Sequence, residues 1–263
     1  MTHTMPIITL TTDFGSGSPY VAAMKGVIWS LATDANVVDL THAISPQDLR
    51  QAAIALVDAA FCFPPQTIHV VVVDPGVGTE RRIVYAAIGT QRFIAPDNGL
   101  LSLAAQRCPL TAAHVLAAPQ YWRADVSATF HGRDIMAPAA AHLALGITPA
   151  QLGPPAEELV QFDWPEPVVA PGRITGSIWN VDSFGNLITN ISRELLADLP
   201  TSGATITCSS AEIRGIAGTY GNAPRGTLVA IIGSGNRLEL AIVNGSAAAA
   251  LGVDMGAEVV IRW

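Results

Sequence analysis

Charge is what this sequence has least of. Only 13% of its 263 residues are Asp, Glu, Lys or Arg, and the 14 basic residues are scattered. With a net charge of −7 and no basic stripe, a phosphate-tracking nucleic-acid protein is excluded. Cysteine is scarce as well. Cys62, Cys108 and Cys208 are odd in number, far apart, and at neither metal-ligand nor redox spacing. They argue against a disulfide framework and for a reducing cytoplasm, where Asn190-Ile191-Ser192 and Asn244-Gly245-Ser246 are chance glycosylation sequons. Half the residues are hydrophobic, yet no uninterrupted apolar run approaches the ~18 residues a membrane-spanning helix needs. No basic region precedes an apolar stretch at the N-terminus, so no signal peptide is expected. Low charge beside high apolar content suggests that another subunit covers some of the surface.

What is present is length and pattern. A chain of 263 residues makes one large domain or two modest ones, with ample core. The first ~160 residues alternate strand-like and helix-like segments. Strands are expected at Pro6 to Leu10, Val37 to Leu40, Ile68 to Val73, Ile83 to Ile88 and Arg92 to Ala95. Helices are expected at Pro19 to Leu31, Pro46 to Phe61 with Ser45 as cap, Leu100 to Gln106 and Asp134 to Leu145. This alternation predicts an α/β domain with a mostly parallel sheet, over residues 1–165. Near Pro149 the pattern changes. Gly153-Pro154-Pro155, Pro165-Glu166-Pro167 and Pro171-Gly172 suit a linker. Beyond it, short closely spaced strands predict a smaller, all-β, barrel-like C-terminal domain over residues 172–263. Ala247 to Ala250 reads as a small-residue packing patch.

Polar residues at the carboxyl ends of strands face the ligand crevice of an open α/β sheet. Asp13 directly follows the first strand. It is either a ligand for a ribose diol or a cap for the next helix. Asp74 ends a run of four valines and must be solvated, paired or functional, because burying it alone is prohibitive. Arg81 lies seven residues on, across a Pro/Gly turn, and can fold back to pair with it. His131 stands in Phe130-His131-Gly132-Arg133-Asp134, where Gly132 permits close approach of a ligand or backbone. The other histidines, His3, His42, His69, His114 and His142, lack such a setting. Arg133-Asp134 reads as a helix start, and Asp97-Asn98-Gly99 as a structural turn. In the β region, Asn180 to Asn186 offers an aromatic face (Phe184), a carboxylate (Asp182) and an amide (Asn186), or is simply an Asx-stabilised loop. Gly233-Ser234-Gly235 is a strand-ending turn able to hold a carboxylate. No metal is expected, since the carboxylates and histidines lack ligand spacing.

Taken together, Thr12-Asp13-Phe14-Gly15, Asp74 to Thr79 with Arg81, Ala95 to Gly99, Phe130 to Asp134, Asp182 to Asn190 and Gly233 to Ser246 resemble a known family. It is that of the adenosine-forming S-adenosyl-L-methionine (SAM) hydrolases, or SAM hydroxide adenosyltransferases, relatives of the fluorinating and chlorinating SAM enzymes. The resemblance runs nearly end to end. It implies a homotrimer with SAM between the N-terminal domain of one subunit and the C-terminal domain of the next, and no cofactor. It implies that Asp74, Arg81 and His131 activate water and that Asp13 holds the ribose diol. Phe184 and Asn186 would contact adenine, and Asp182 and Ser234 the methionine amine and carboxylate. The halogenating relatives carry a tyrosine at the position of Asp74 and no matching Asp–His pair. Physical chemistry agrees with that contrast: a carboxylate would repel an attacking halide, by about 4 kcal/mol for unit charges 4 Å apart at an effective dielectric near 20. A halogenase and a SAM-binding protein without turnover are the rival readings.

Overall fold

The structure is a computed structural model that describes residues 5–199 and 203–263; His3 lies outside them. The chain divides into two compact units, Met1–Phe162 and Asp163–Trp263.

The first unit runs β1 (Ile7–Thr12), α1 (Pro19–Leu31), β2 (Asn36–Thr41), α2 (Leu49–Ala60), β3 (Ile68–Val72), β4 (Ile83–Ile88), β5 (Gln91–Pro96), α3 (Ser102–Arg107), β6 (Leu110–Val115), α4 (Ala137–Ala144) and α5 (Pro149–Leu152). Its sheet has the order β2-β1-β3-β5-β4-β6. β1 is parallel to β2 and β3, and β3 to β5, whereas β4 is antiparallel to β5 and β6. The sheet is therefore mixed, though mostly parallel. The reason is chain length: only Gly89 and Thr90 separate β4 from β5, enough for a hairpin but not for a parallel crossover. Every residue of β3 is buried, as its β-branched run predicts for a strand covered on both faces.

Two helix starts differ from expectation. The helix after β2 begins at Leu49, capped by the Asp48 carboxylate accepting from Gln51 N–H at 2.9 Å, not by Ser45. Gln47 adopts φ +65°, which stops the helix from extending back toward Pro46. The helix expected from Asp134 begins instead as a π-helical turn, Gly132–Met136, that leads into α4. The first part of the proline-rich stretch is also tied down. Val115 N–H donates to Pro154 O and Ala156 N–H to Ala113 O, both at 2.9 Å, so residues 153–156 lie along β6. Gly153 is required there, since a Cβ would come within 2.3 Å of Val115 O.

A polar row crosses the sheet's interior. Thr9, His69 and Phe93 share one register across β1, β3 and β5. Thr9 Oγ1 lies 2.7 Å from His69 Nδ1, and the Phe93 ring stacks on the imidazole. His69 is fully buried, and that burial lowers its pKa from 6.5 to about 4. An unfolded chain binds this proton below pH 6.5, whereas the folded chain resists it until about pH 4. Folding stability should thus fall by about 3 kcal/mol as pH drops through that window. Urea titrations at several pH values check this; an unchanged pH slope in His69→Gln would assign the loss elsewhere.

The second unit contains β7 (Val168–Ala170), β8 (Arg173–Val181), β9 (Leu187–Ser192), β10 (Thr205–Cys208), β11 (Ala211–Arg214), β12 (Leu228–Ile232), β13 (Arg237–Ile242), α6 (Ala247–Leu251) and β14 (Glu258–Arg262). Its antiparallel sheet, β11-β10-β14-β8-β9-β13-β12 with β7 beside β8, is nearly closed into a barrel. Ala217, just beyond β11, donates to Ala230 O at 2.8 Å in β12 and narrows the gap. Ile178, Leu187, Ile206, Leu238, Leu240 and Ile261 fill the interior. The alanine patch is helix α6, capped by the Ser246 hydroxyl accepting from Ala249 N–H at 3.1 Å.

Candidate active site

β1 and β3 pair in parallel with Thr12 level with Val72. That register brings Asp13 and Asp74 to the same carboxyl edge of the sheet. The Asn98 side-chain amide donates to Val73 O at 3.0 Å and fixes the end of the chain segment that carries Asp74. Beyond it, residues 75–80 form a tight turn in which Val77 N–H donates to Asp74 O and Thr79 N–H to Gly76 O. Gly78 has φ +80°, and a Cβ there would come within 2.6 Å of Ala128 O. This compact turn returns the chain so that Arg81 faces Asp74.

Arg81 is the hub of the site. Its Nε donates to Asp74 Oδ1 at 3.0 Å and to Oδ2 at 2.9 Å. Its Nη2 reaches Asp74 Oδ2 and also lies 2.9 Å from His131 Nδ1. Both side chains of the ion pair are largely shielded, Arg81 at 12% and Asp74 at 6% exposure. A pair so enclosed interacts in a lower effective dielectric than a surface pair. Burial lowers the His131 pKa below the ordinary imidazole value and the Arg81 charge lowers it further; Asp74 and Asp134 partly offset them.

Packing sets the position of His131. A Cβ on Gly132 would stand 2.9 Å from Val72 Cγ1, so only glycine lets this turn lie against β3. Asp134 fastens the segment from the other side. Its side chain is wholly buried and accepts from Arg133 Nε at 2.7 Å, Arg123 Nη1 at 2.9 Å and Ser127 N–H at 2.9 Å. The Arg133 guanidinium also covers the Phe130 ring at 4.8 Å. Phe130 meets Phe14 and Tyr20 edge to face, with centroids 5.7 and 5.2 Å away.

Asp13 is not a helix cap, because Ser18 caps α1. Asp13 Oδ2 accepts from Gln47 N–H at 2.8 Å, and the positive φ of Gln47 belongs to that same turn. Behind it, Thr12 Oγ1 lies 2.9 Å from His42 Nδ1, His42 Nε2 is 2.9 Å from Asp39 Oδ1, and Lys25 donates to Asp39 at 2.7 Å. Nothing in the sequence around His42 signals this bracket; parallel pairing of β1 with β2 creates it.

In the second unit, Asp182, Phe184 and Asn186 share the β8–β9 loop. Asp182 Oδ1 accepts from Phe184 N–H and Asn186 N–H at 2.9 Å each, and Oδ2 from the Asn186 amide at 2.8 Å. Asp182 thus organises its own loop, while a carboxylate's four lone-pair sites leave it capacity for a further donor. Phe184 is 77% exposed and Asn186 is buried. Ser234 is exposed in the β12–β13 turn, at the opposite end of the β9–β13 ladder from that loop. Between the two lies Glu239, a lone acid in the apolar run of β13. It accepts from the Tyr220 hydroxyl, and a Cβ on Gly233 would meet its Oε2 at 2.4 Å. Burial and the Asp182 charge raise its pKa above the usual carboxylate range, against the Tyr220 hydrogen bond. The sequence signal that marks this residue is a single acid interrupting an apolar strand.

A family model described as the SAM hydroxide adenosyltransferase N-terminal domain matches residues 8–153, and one for the C-terminal domain matches residues 176–260. The chain belongs to the SAM hydroxide adenosyltransferase family. Two members are the (R)-S-adenosyl-L-methionine hydrolases of Thermus thermophilus and Salinispora tropica. The first is 42% identical over 93% of this chain and 95% of its own length; the second is 39% identical over 95% of each. Fluorinases stand further off, that of Actinoplanes sp. being 31% identical over 75% of this chain and 74% of its own. Among solved structures, an uncharacterized conserved protein from Thermotoga maritima superposes with a TM-score of 0.92 at 33% identity, over 97% of this chain and all of that one. Within this family frame, Arg81 contacts both Asp74 and His131 in the present chain and so joins the three, and Asp13 shares the sheet edge of Asp74.

Proposed function

We propose that this chain hydrolyses SAM to adenosine and L-methionine by attack of water or nascent hydroxide at the ribose C5′. The Asp74–Arg81–His131 hydrogen-bonded group at the carboxyl edge of the sheet carries this reading. The sulfonium makes methionine a neutral leaving group, so no acid is needed to expel it. The difficulty lies in the nucleophile, because free water has a pKa of about 15.7. A carboxylate and an imidazole beside a dry, oriented water meet that need without a metal or cofactor. The sheet-edge position of Asp13 supports a role in holding the ribose diol. Exposed Phe184 supports stacking on adenine, with Asn186 at the base edge. Asp182 and Ser234 take the methionine headgroup. We assign the working form to a homotrimer, with one site shared by neighbouring subunits. The free thiols of Cys62, Cys108 and Cys208 fit a cytoplasmic setting. The names of the hydrolase relatives specify the R configuration at sulfur, and we extend that preference to this chain.

Product analysis tests the proposal. Purified protein is incubated with separated R and S epimers of SAM, with and without added chloride, and the nucleosides are resolved by chromatography. Adenosine and methionine should appear in both salt conditions, faster from the R epimer. A 5′-halogenated nucleoside would make the chain a halogenase, and no product at all would leave a binding protein.

A further inference from the structure

The geometry points to Arg81 as a tautomer lock: it holds His131 with its proton on Nε2, so that Asp74, and not His131, takes the proton of the attacking water. This inference rests on the hydrolytic reading above. A guanidinium is always protonated and has only donors to offer. Its 2.9 Å contact with His131 Nδ1 is a hydrogen bond only if that nitrogen is bare. A neutral imidazole carries one N–H, so the proton sits on Nε2. A ring in this state has no lone pair left with which to accept: Arg81 occupies one and the proton the other. Adding a proton at Nδ1 would set two donors face to face. Burial and the Arg81 charge oppose protonation of this ring, and Asp74 and Asp134 offset the two only in part.

Asp74 is left as the acceptor. Arg81 donates to both carboxylate oxygens, twice to Oδ2, yet a lone pair remains on Oδ1. A strong base is unnecessary. As a lone pair of the water oxygen forms the O–C5′ bond, the C5′–S electron pair departs onto sulfur. The partly bonded water becomes far more acidic than a carboxylic acid, and its proton passes to Asp74. His131 then serves as a donor: its Nε2–H holds the water's second lone pair and fixes the direction of attack.

Nitrogen-15 NMR of histidine-labelled protein reads the tautomer without substrate, with His131→Gln identifying the signal. We expect a protonated Nε2 and a bare Nδ1 at neutral pH. His131→Gln puts an amide donor in the place of Nε2 but offers no basic site. It should lose about tenfold in kcat, the scale of one altered hydrogen bond, and keep the acid limb of the pH–rate profile. Asp74→Asn should lose far more. A protonated Nδ1 in the unaltered protein would overturn the assignment. So would a His131→Gln variant as impaired as Asp74→Asn and lacking the acid limb. Failure of the unaltered protein to release adenosine would sink the hydrolytic reading instead, whatever the NMR shows.

Discussion

Asp74→Asn should slow hydrolysis by about 10²–10⁴-fold while leaving SAM affinity nearly unchanged, the range lost when a positioned base is removed. The amide has the carboxylate's shape and keeps one oxygen to accept from Arg81. It gives up the charge and the ability to take a proton. Those are needed once water begins to lose its proton, not when SAM binds, so kcat and kcat/KM should fall together. Single-turnover rates with calorimetric affinities separate the two. A variant that turns over normally but binds SAM weakly would move Asp74 from the chemistry to recognition.

Asp134→Asn should cost about 3 kcal/mol of stability, the low end for breaking a buried ion pair. The discount reflects its partners: Arg123 and Arg133 keep 42% and 30% of their side chains exposed and stay partly solvated. Burial alone would raise the Asp134 pKa, but hydrogen bonds from Arg133, Ser127 and Arg123 hold it below the ordinary 3.8. Its stabilisation is therefore present above pH 3.8 and lost only as acid titrates the folded carboxylate. In the variant, donors of Asn would face donors of arginine. A fall in melting temperature of about 6–12 °C is the expected reading. Because the same carboxylate binds Ser127 N–H and so anchors the chain before His131, activity should fall as well. A melting point within a degree of the parent would show that solvent already compensates the two arginines.

Much of this was legible because it depends on local pattern. The valine run fixed β3, and the Pro/Gly turn after it told that Arg81 returns toward Asp74. The short, closely spaced strands of the second unit were legible from their turn residues, except β7 (Val168–Ala170), which lies inside the proline-rich stretch read as a linker. Contacts made between segments distant in sequence were not legible. Arg133-Asp134 read as a helix start, yet Asp134 is a buried anchor because Arg123 and Ser127 fold onto it. The Asp39–His42–Thr12 bracket needs β1 beside β2. Gln47 read as helix, and its positive φ follows from the turn facing Asp13. The meeting of Arg81 with Nδ1 of His131 depends on the π-helical turn and the Gly132–Val72 contact, which no spacing rule encodes.

The Lys25–Asp39 pair has a practical corollary. Lys25 is the only lysine in the chain; the other 13 basic residues are arginines. Amine-directed dyes, crosslinkers and resins therefore have one side-chain target, near the middle of α1. Coupling there removes the cation from Asp39 and disturbs the bracket behind Asp13, so attachment should be made elsewhere if activity is to be kept. The same scarcity is useful to a lysine-specific protease, which has a single bond to cut. That bond lies inside a folded helix, and at protease levels where cleavage outpaces reclosing the rate at which two fragments appear is a clock for the opening of α1.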